Sequence, residues 1–433
     1  MADQSVFKIK ETLTPDESIE AYNYHEYLPF NGQEQLNVVG NIQIDVMPTT
    51  APYHLHNAYL KLEGKIVKSE GGGEAAKIKK EDMVTMTCSG PVFSFKQATY
   101  QLNGVNISTI YEPGYVVLMK QLLLTSTDTN LATNCFEKDT SQAVTTTEND
   151  GMKIRHAFTT KEPDPPGSFS VRVPLRLLFS FADDYTRVLM NTRQTLILVR
   201  RNDENALLRD NVALKDVECR IEYTKIALML PLITPSDSFR AEMLKIIRNR
   251  DKFPIIYHDD SMSTINLPKT KDHTINLGIQ MTRPRYLVFG IQKARHDDQA
   301  KNNCIFDHLE MQNFYVMLNN QRFPDVDQQI DFKAYQVLEP YLAFLDFYKN
   351  YYHVDPIVAK ARMSITEYVT CYPLFVVNLS HQSPNFTENC INLSLHFSLK
   401  AAVADETTKI RIWIVSEKMI HLKSTGESLN VVY

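Results

Sequence analysis

The chain has 433 residues, of which 43% are hydrophobic, 10% aromatic and 22% charged, and its formal net charge is -5. That length favours two or more domains over one. The acidic balance, with a pI near 6.2, excludes a protein held to nucleic acid by backbone charge, which needs a basic excess or arm.

From the N-terminus onward, most of the pattern has period 2 or short apolar runs rich in β-branched and aromatic residues. The opening "MADQSVFKIKETLTPDESIE" has no apolar h-region, so no secretory signal is expected. Gln35–Val46 and Ala58–Val67 read as strands. Lys68–Asp82 is a polar stretch with three consecutive glycines; its Lys77-Ile78-Lys79-Lys80 run meets Glu81 and Asp82 at once and reads as a solvated loop. Met83–Cys88 is a further strand. "ATYQLNGVNISTI", Ala98 to Ile110, reads as a hairpin, because Asn103-Gly104 tolerates positive φ in a two-residue turn. In "EPGYVVLMKQLLL" Pro113 takes the first helical position, where its missing N–H costs nothing. Tyr115, Leu118, Met119 and Leu122 share a stripe expected to pack on a barrel wall. Phe136–Gly167 is a long polar loop, of the kind that carries surface function. Strands resume over Ser168–Phe181, Gln194–Arg201 and Glu218–Leu230. In the last, Ile221, Tyr223 and Lys225 alternate with Glu222 and Thr224, as in an antiparallel sheet with one wet face.

Ser236 or Asp237 then caps a helix running to Arg250, with Phe239, Met243, Ile246 and Ile247 on one face. Further strands are expected at Lys252–Asp259, His273–Met281, Arg285–Gln292, Phe306–Leu318, Thr370–Leu379, Ile391–Leu399 and Ile410–Ser416. "EPYLAFLDFYKNYY" gives a second Glu-Pro helix, starting at Pro340, with Tyr341, Phe344, Leu345, Tyr348 and Tyr352 on one stripe. No run approaches the roughly 18 apolar residues of a membrane-spanning helix.

The two halves say the same thing twice. "YLKLEGKIV" at Tyr59 is similar to "YLVFGIQKA" at Tyr286, and "QLNGVNI" at Gln101 to "MLNNQRF" at Met317. The helix at Glu112 matches that at Glu339, and "RLLFSF" at Arg176 matches "LFVVNL" at Leu374. "TLILVRR" at Thr195 matches "INLSLHF" at Ile391, and "IEYTKIALML" at Ile221 matches "IRIWIVSEKMI" at Ile410. Each match is weak, but six recur in one order, as a duplicated β-domain with loop insertions would give. The expected fold is all-β: two tandem antiparallel jelly rolls with a few short helices. The division is placed at residues 1–232 for the first jelly roll and 233–433 for the linker helix and second jelly roll. The second copy inserts "PDVDQQIDFKAYQV" between hairpin and helix, so Asn319 to Asp331 is expected at a surface that the first copy does not reproduce.

Four segments carry a family resemblance: "FSFADDYTRVLMNTRQTLILVRRNDENAL", "IEYTKIALMLPLITPSD", "RPRYLVFGIQKAR" and "FDHLEMQNFYVMLNNQRFPDVDQQIDF". They resemble the major capsid proteins of Polinton/Maverick elements and adintoviruses, of the adenovirus-hexon-like lineage, best from about Phe179 to His353. The resemblance implies a double jelly-roll protomer that forms a homotrimeric, pseudo-hexagonal capsomer of an icosahedral shell around double-stranded DNA. It implies self-contacts between capsomers, a penton or minor capsid protein as partner, and residence in the virion after assembly in the host cell, the nucleus included. It transfers no active site. The chain departs from the family at Pro340, where a later helix start or a kink is expected, and in its compactness, which implies short loops at the capsomer top. A domesticated host copy is a variant of this reading. A glycan- or receptor-binding tandem jelly roll and a cupin-type enzyme are the alternatives.

Chemical motifs point nowhere else. Asp183-Asp184 and Asp297-Asp298 are adjacent, and adjacent carboxylates on a strand face opposite ways, which is poor acid/base geometry. Tyr257-His258-Asp259-Asp260 is a conceivable ligand set, better read as turn or surface. His54 and His56 would share a strand face, as cupin ligands do, but the usual further Glu and His are missing. Gly71 begins a glycine run with no following helix to receive a phosphate. The six cysteines, Cys88, Cys135, Cys219, Cys304, Cys371 and Cys390, are scattered and expected to be reduced intracellular thiols. The sequons at Asn106, Asn378, Asn385 and Asn392 read as chance. No catalytic, cofactor-binding or metal-ligating residue is assigned, no cofactor is expected, and neither is sequence-specific nucleic-acid binding.

Overall fold

Eight strands of the first half recur in the second half, in the same order and with the same neighbours. The first set is β1 (Ile19–Tyr27), β2 (Asn41–Val46), β3 (Tyr59–Glu70), β4 (Phe95–Leu102), β5 (Val105–Tyr111), β6 (Ser168–Pro174), β7 (Gln194–Arg200) and β8 (Val217–Pro235). The second is β9 (Lys252–Asn266), β10 (Asp272–Asn276), β11 (Pro284–Gln292), β12 (Met311–Leu318), β13 (Gln321–Phe323), β14 (Phe375–Asn378), β15 (Leu393–Leu399) and β16 (Lys409–Thr425). The structure is a computed structural model and describes residues 18–30, 32–49, 51–70, 75–124, 131–161, 165–210, 214, 217–249, 252–277, 283–354, 363–380, 392–425 and 428–432.

The ladders define the topology. One sheet of the first half runs β1-β8-β3-β6 and the other β2-β7-β4-β5. The second half gives β9-β16-β11-β14 and β10-β15-β12-β13. Every strand's counterpart stands eight places on, and every one of these pairings is antiparallel. These are two jelly rolls in tandem. Helices fall in matching places too. Those named here are α1 (Pro113–Leu124), α2 (Asp150–Thr159), α3 (Asp237–Asn249), α4 (Leu338–Tyr352) and α5 (Ile365–Thr370). α1 and α4 each follow the hairpin, and α2 and α5 each precede the strand β6 or β14. β8 runs to Pro235 and α3 begins at Asp237, so the first barrel's last strand ends just beyond the expected division.

The alternation in β8 holds only as far as a bulge. Cys219, Ile221 and Tyr223 point inward, then the register against β3 shifts between Tyr223 and Lys225. The extra residue reverses parity, so Ile226, Leu228 and Leu230 are the buried set beyond it. Lys225 therefore leaves the face of Ile221 and Tyr223 and pairs with Glu26 at 2.6 Å.

Several expectations need correcting. "RLLFSF" is not a strand: Leu175–Leu178 and Ser180–Asp184 are helical turns, and the counterpart of "LFVVNL" is β6. Gln33–Asn37 is a 3-10 turn before β2. α4 starts at Leu338, so Pro340 is its third residue and neither delays nor breaks it; first-turn N–H groups have no intrahelical partner to lose. Its buried face is Pro340, Phe344, Phe347 and Tyr351, rotated from the expected stripe, and Tyr352 is exposed. α1 is buried on every side, not along one stripe. The polar run after Phe136 is no mere surface loop: it contains α2, capped by Asn149, and the fully buried pair Arg155 and Asp139. Of the α3 face, Phe239 is exposed and Met243 half-buried, while the side chains of Ile246 and Ile247 lie outside the described residues. The segment Asn319 to Asp331 is exposed or half-buried apart from Ile330; its turn and β13 repeat the first hairpin, and only the stretch after Phe323 has no equivalent in the first copy, which passes from β5 to α1 through Glu112 alone.

Candidate functional site at the seam between the barrels

Four consecutive residues of β9 reach into the first half of the chain. Tyr257 donates its hydroxyl to Ile107 O at 3.0 Å. His258 meets Asp184 Oδ2 twice, through its backbone N–H at 2.6 Å and its Nδ1 at 3.0 Å. Asp259 accepts from Ser108 Oγ at 2.6 Å. Asp260 accepts from Lys120 Nζ and Ser180 Oγ, each at 2.7 Å, and from Ser180 N at 3.1 Å. β5, α1 and the Ser180–Asp184 turn present these partners because the first hairpin leads straight into α1. Trp413 of β16 completes the site, donating Nε1–H to Asp260 Oδ1 at 2.9 Å.

The electrostatics follow from burial and pairing. Desolvation alone would lower the His258 imidazole, but the hydrogen bond and charge of Asp184, with Asp260 and Glu417, raise it above 6.5. Desolvation raises the Asp259 carboxyl, against the opposing pull of Lys418 and Ser108. A buried carboxylate such as Asp260 is tolerable only because its oxygens are filled by donors.

The seam continues on both flanks. Arg411 of β16 lies 3.9 Å from the Tyr115 ring centroid and donates to the Tyr115 hydroxyl at 3.1 Å and to His296 Nδ1 at 2.9 Å. Burial and the Arg411 charge push His296 down to about 3, which keeps it neutral and able to accept. On the other flank Asp139 N donates to Tyr372 OH at 2.7 Å and Lys138 pairs with Glu367 at 3.2 Å. Cys304 Sγ donates to Cys88 O at 3.0 Å.

The residues weighed for chemistry are dispersed or already occupied. Asp183 and Asp184 lie in a helical turn, not a strand, and diverge to Tyr352 and His258. Asp297 is taken by Arg201 and Asn205, and Asp298 by Lys301. His54 precedes a 3-10 turn, Leu55–Asn57, and His56 lies within it, so they share no strand face; His56 Nδ1 sits 3.0 Å from Ala182 O and Asp183 O, and His54 Nδ1 3.0 Å from Tyr22 OH. The glycine run at 71–73 falls outside the described residues. Among the described residues no three His, Cys, Asp or Glu side chains are grouped to hold a metal. Tyr257 to Asp260 is neither turn nor surface but buried strand. Lys120, Ser180 and Trp413 were missed; a lysine inside the apolar run "VVLMKQLLL" was the one signal for them.

A profile of the double jelly roll-like domain family matches residues 85–420. The chain belongs to that family. Solved structures agree on the fold. A chain in the cryo-EM structure of the Sputnik virophage superposes with a TM-score of 0.62 at 11% identity, covering 98% of this chain and 90% of that one. A chain of the PBCV-1 virus capsid gives 0.57 at 10% identity, covering 98% and 99%. The mavirus major capsid protein gives 0.56 at 11% identity, covering 98% and 92%. At such identities the likeness is one of fold. No curated protein matches the chain in sequence. In this double jelly roll protein the seam thus fixes two like barrels as one unit.

Proposed function

We propose that this double jelly roll protein is the major capsid subunit of a virus or virus-like element of the Polinton/Maverick and adintovirus kind. Three copies form a pseudo-hexagonal capsomer, and capsomers tile an icosahedral shell around double-stranded DNA. The supporting observation is the eight-strand repeat locked by a buried seam. Two like barrels held rigidly side by side make a third of a six-lobed tile, so one gene supplies a near-hexagonal unit. The role is structural rather than enzymatic, with the virion as location and a penton or minor capsid protein as further partner. Among the described residues no helix is long and apolar enough to cross a membrane.

Light scattering on the purified protein tests this. A mass of about 150 kDa is expected, three times the 49.7 kDa chain, with six-lobed tiles or shells in negative stain. A stable monomer that forms no higher assembly, even with its partner capsid proteins, overturns it.

A further inference from the structure

The two barrels repeat each other in strand order but not in what covers them. β9, the outermost strand of its sheet, is buried at Tyr257, Asp259 and Asp260, where it faces the first barrel. Its counterpart β1 is also outermost, yet seven of its nine residues are exposed and the other two only half-buried. The registers make the comparison residue by residue. Tyr59 and Tyr286 correspond, and they pair with Met229 and Val415, whose other neighbours are Glu26 and Asp260. Asn23 to Glu26 therefore stand where Tyr257 to Asp260 stand.

The opposite side of the seam shows the complementary mismatch. α1 is buried along its whole length. Its counterpart α4 exposes Leu338 (61%) and Leu342 (42%), and the loop before it exposes Val326 (74%). β1 likewise exposes Ile19, Tyr22 and Tyr24. One seam is made inside the chain, from β5 and α1 against β9. The two halves of a second seam, β13 and α4 on one barrel and β1 on the other, are left open.

We propose that β1 of one copy seats against the outer face of α4 and the loop 324–337 of a second copy, repeating between chains the contact that β9 makes with β5 and α1 within the chain. The inference rests on the capsid reading and names its contact. Two different surfaces meet, so the contact is heterologous, and it closes a ring of three chains when the turn from barrel to barrel is near sixty degrees. Its chemistry differs from that of the internal seam. By the Glu-Pro register Lys120 corresponds to Phe347, and Glu26 is already neutralised by Lys225. The contact between chains is therefore made by tyrosine and leucine at these positions, where the internal seam has a buried ion pair.

Substitutions to glutamate on each side test it. Tyr24→Glu and Leu342→Glu should each convert a 150 kDa trimer to a 50 kDa monomer that keeps the wild-type circular dichroism spectrum, since both residues are exposed. Ile154→Glu, at an exposed apolar residue elsewhere, should stay trimeric. Mixing the two monomeric variants leaves one intact pair of surfaces and should give a dimer of about 100 kDa and no trimer. Trimers surviving both substitutions, or a mixture that stays monomeric, overturn the inference alone. A wild-type monomer overturns the capsid reading with it. A trimer lost on deleting residues 1–17, yet kept in both substitutions, would assign the contact to that segment instead.

Discussion

Lys120 of α1 and Asp260 of β9 form an ion pair of 2.7 Å, with side chains 2% and 0% exposed, across the junction of the two barrels. Removing one partner leaves the other charge buried alone, which costs about 3–5 kcal/mol. Lys120→Met should therefore lower the stability to chemical unfolding by about that amount, the unpaired Asp260 carboxylate being the cause. Replacing both, as Lys120→Met with Asp260→Leu, should recover only part of the loss, because the Trp413 Nε1–H and Ser180 N–H donors then lose their buried acceptor. Trp413 is the only tryptophan and is fully buried against this pair, so its emission follows the seam directly. A single variant as stable as wild type to within about 1 kcal/mol would show the pair to be dispensable.

The His258–Asp184 contact predicts a pH dependence. The folded imidazole titrates above its ordinary 6.5. Its contribution is thus fully present below about pH 6.5 and is lost as the pH rises through the folded value. Burial raises Asp259 and Asp183, which act with the same sign. Glu417 acts oppositely: burial would raise it, but Arg285 and Arg283 hold it below 4.5, so its contribution is present above about pH 4.5 and is lost as the pH falls through the folded value. The melting temperature of His258→Gln should lie furthest below wild type at and below about pH 6.5, and the gap should narrow as the pH rises. A gap that widens with rising pH would contradict this.

Arg155 predicts a cost that no surface loop would show. It donates Nε to Met86 O at 3.0 Å and its other nitrogens to Glu137 O and Asp139 Oδ1, all without exposure to solvent. Lysine cannot reproduce the planar fork. Arg155→Lys should destabilise by about 2–4 kcal/mol, as expected for a broken buried network. Gly151→Ala should also destabilise, because a Cβ there would collide with the Lys138 carbonyl. Melting curves on both variants check this; near-wild-type values would return the segment to the status of a loop.

These cases show what the sequence could carry. The hairpins at Asn103-Gly104 and Asn319-Asn320 were legible because turn chemistry is local. Asn103 and Asn319 both take positive φ, though in the second turn Asn320 does not join its partner as Gly104 does. Five of the six repeated phrases mark true counterparts. The sixth fails because a short apolar run such as "RLLFSF" has no periodicity to separate strand from helix. The seam was illegible for a different reason. Asp260 draws its donors from 140, 80 and 153 residues away. Only the fold brings them together, so "YHDD" read as turn or surface.

The cysteines give a last prediction that returns to the seam. The five described thiols are free and buried. Burial pushes Cys135 up to about 12 and Cys219 to about 11, and Cys304 is raised by burial and then by Cys88. The thiolate is the reacting form, so both access and ionisation protect these groups. With Cys390→Ser, the native protein at pH 8 should therefore leave all five unlabelled by a disulfide reagent over a time in which the denatured chain reacts fully. Cys304 and Cys88 touch across the junction, whereas Cys135 lies within the first half. Lys120→Met should thus speed labelling at Cys304 and Cys88 before Cys135, by opening the seam. Equal acceleration at all three would mean global unfolding instead, and stoichiometric labelling of the unmutated fold would show the barrels are not closed on each other.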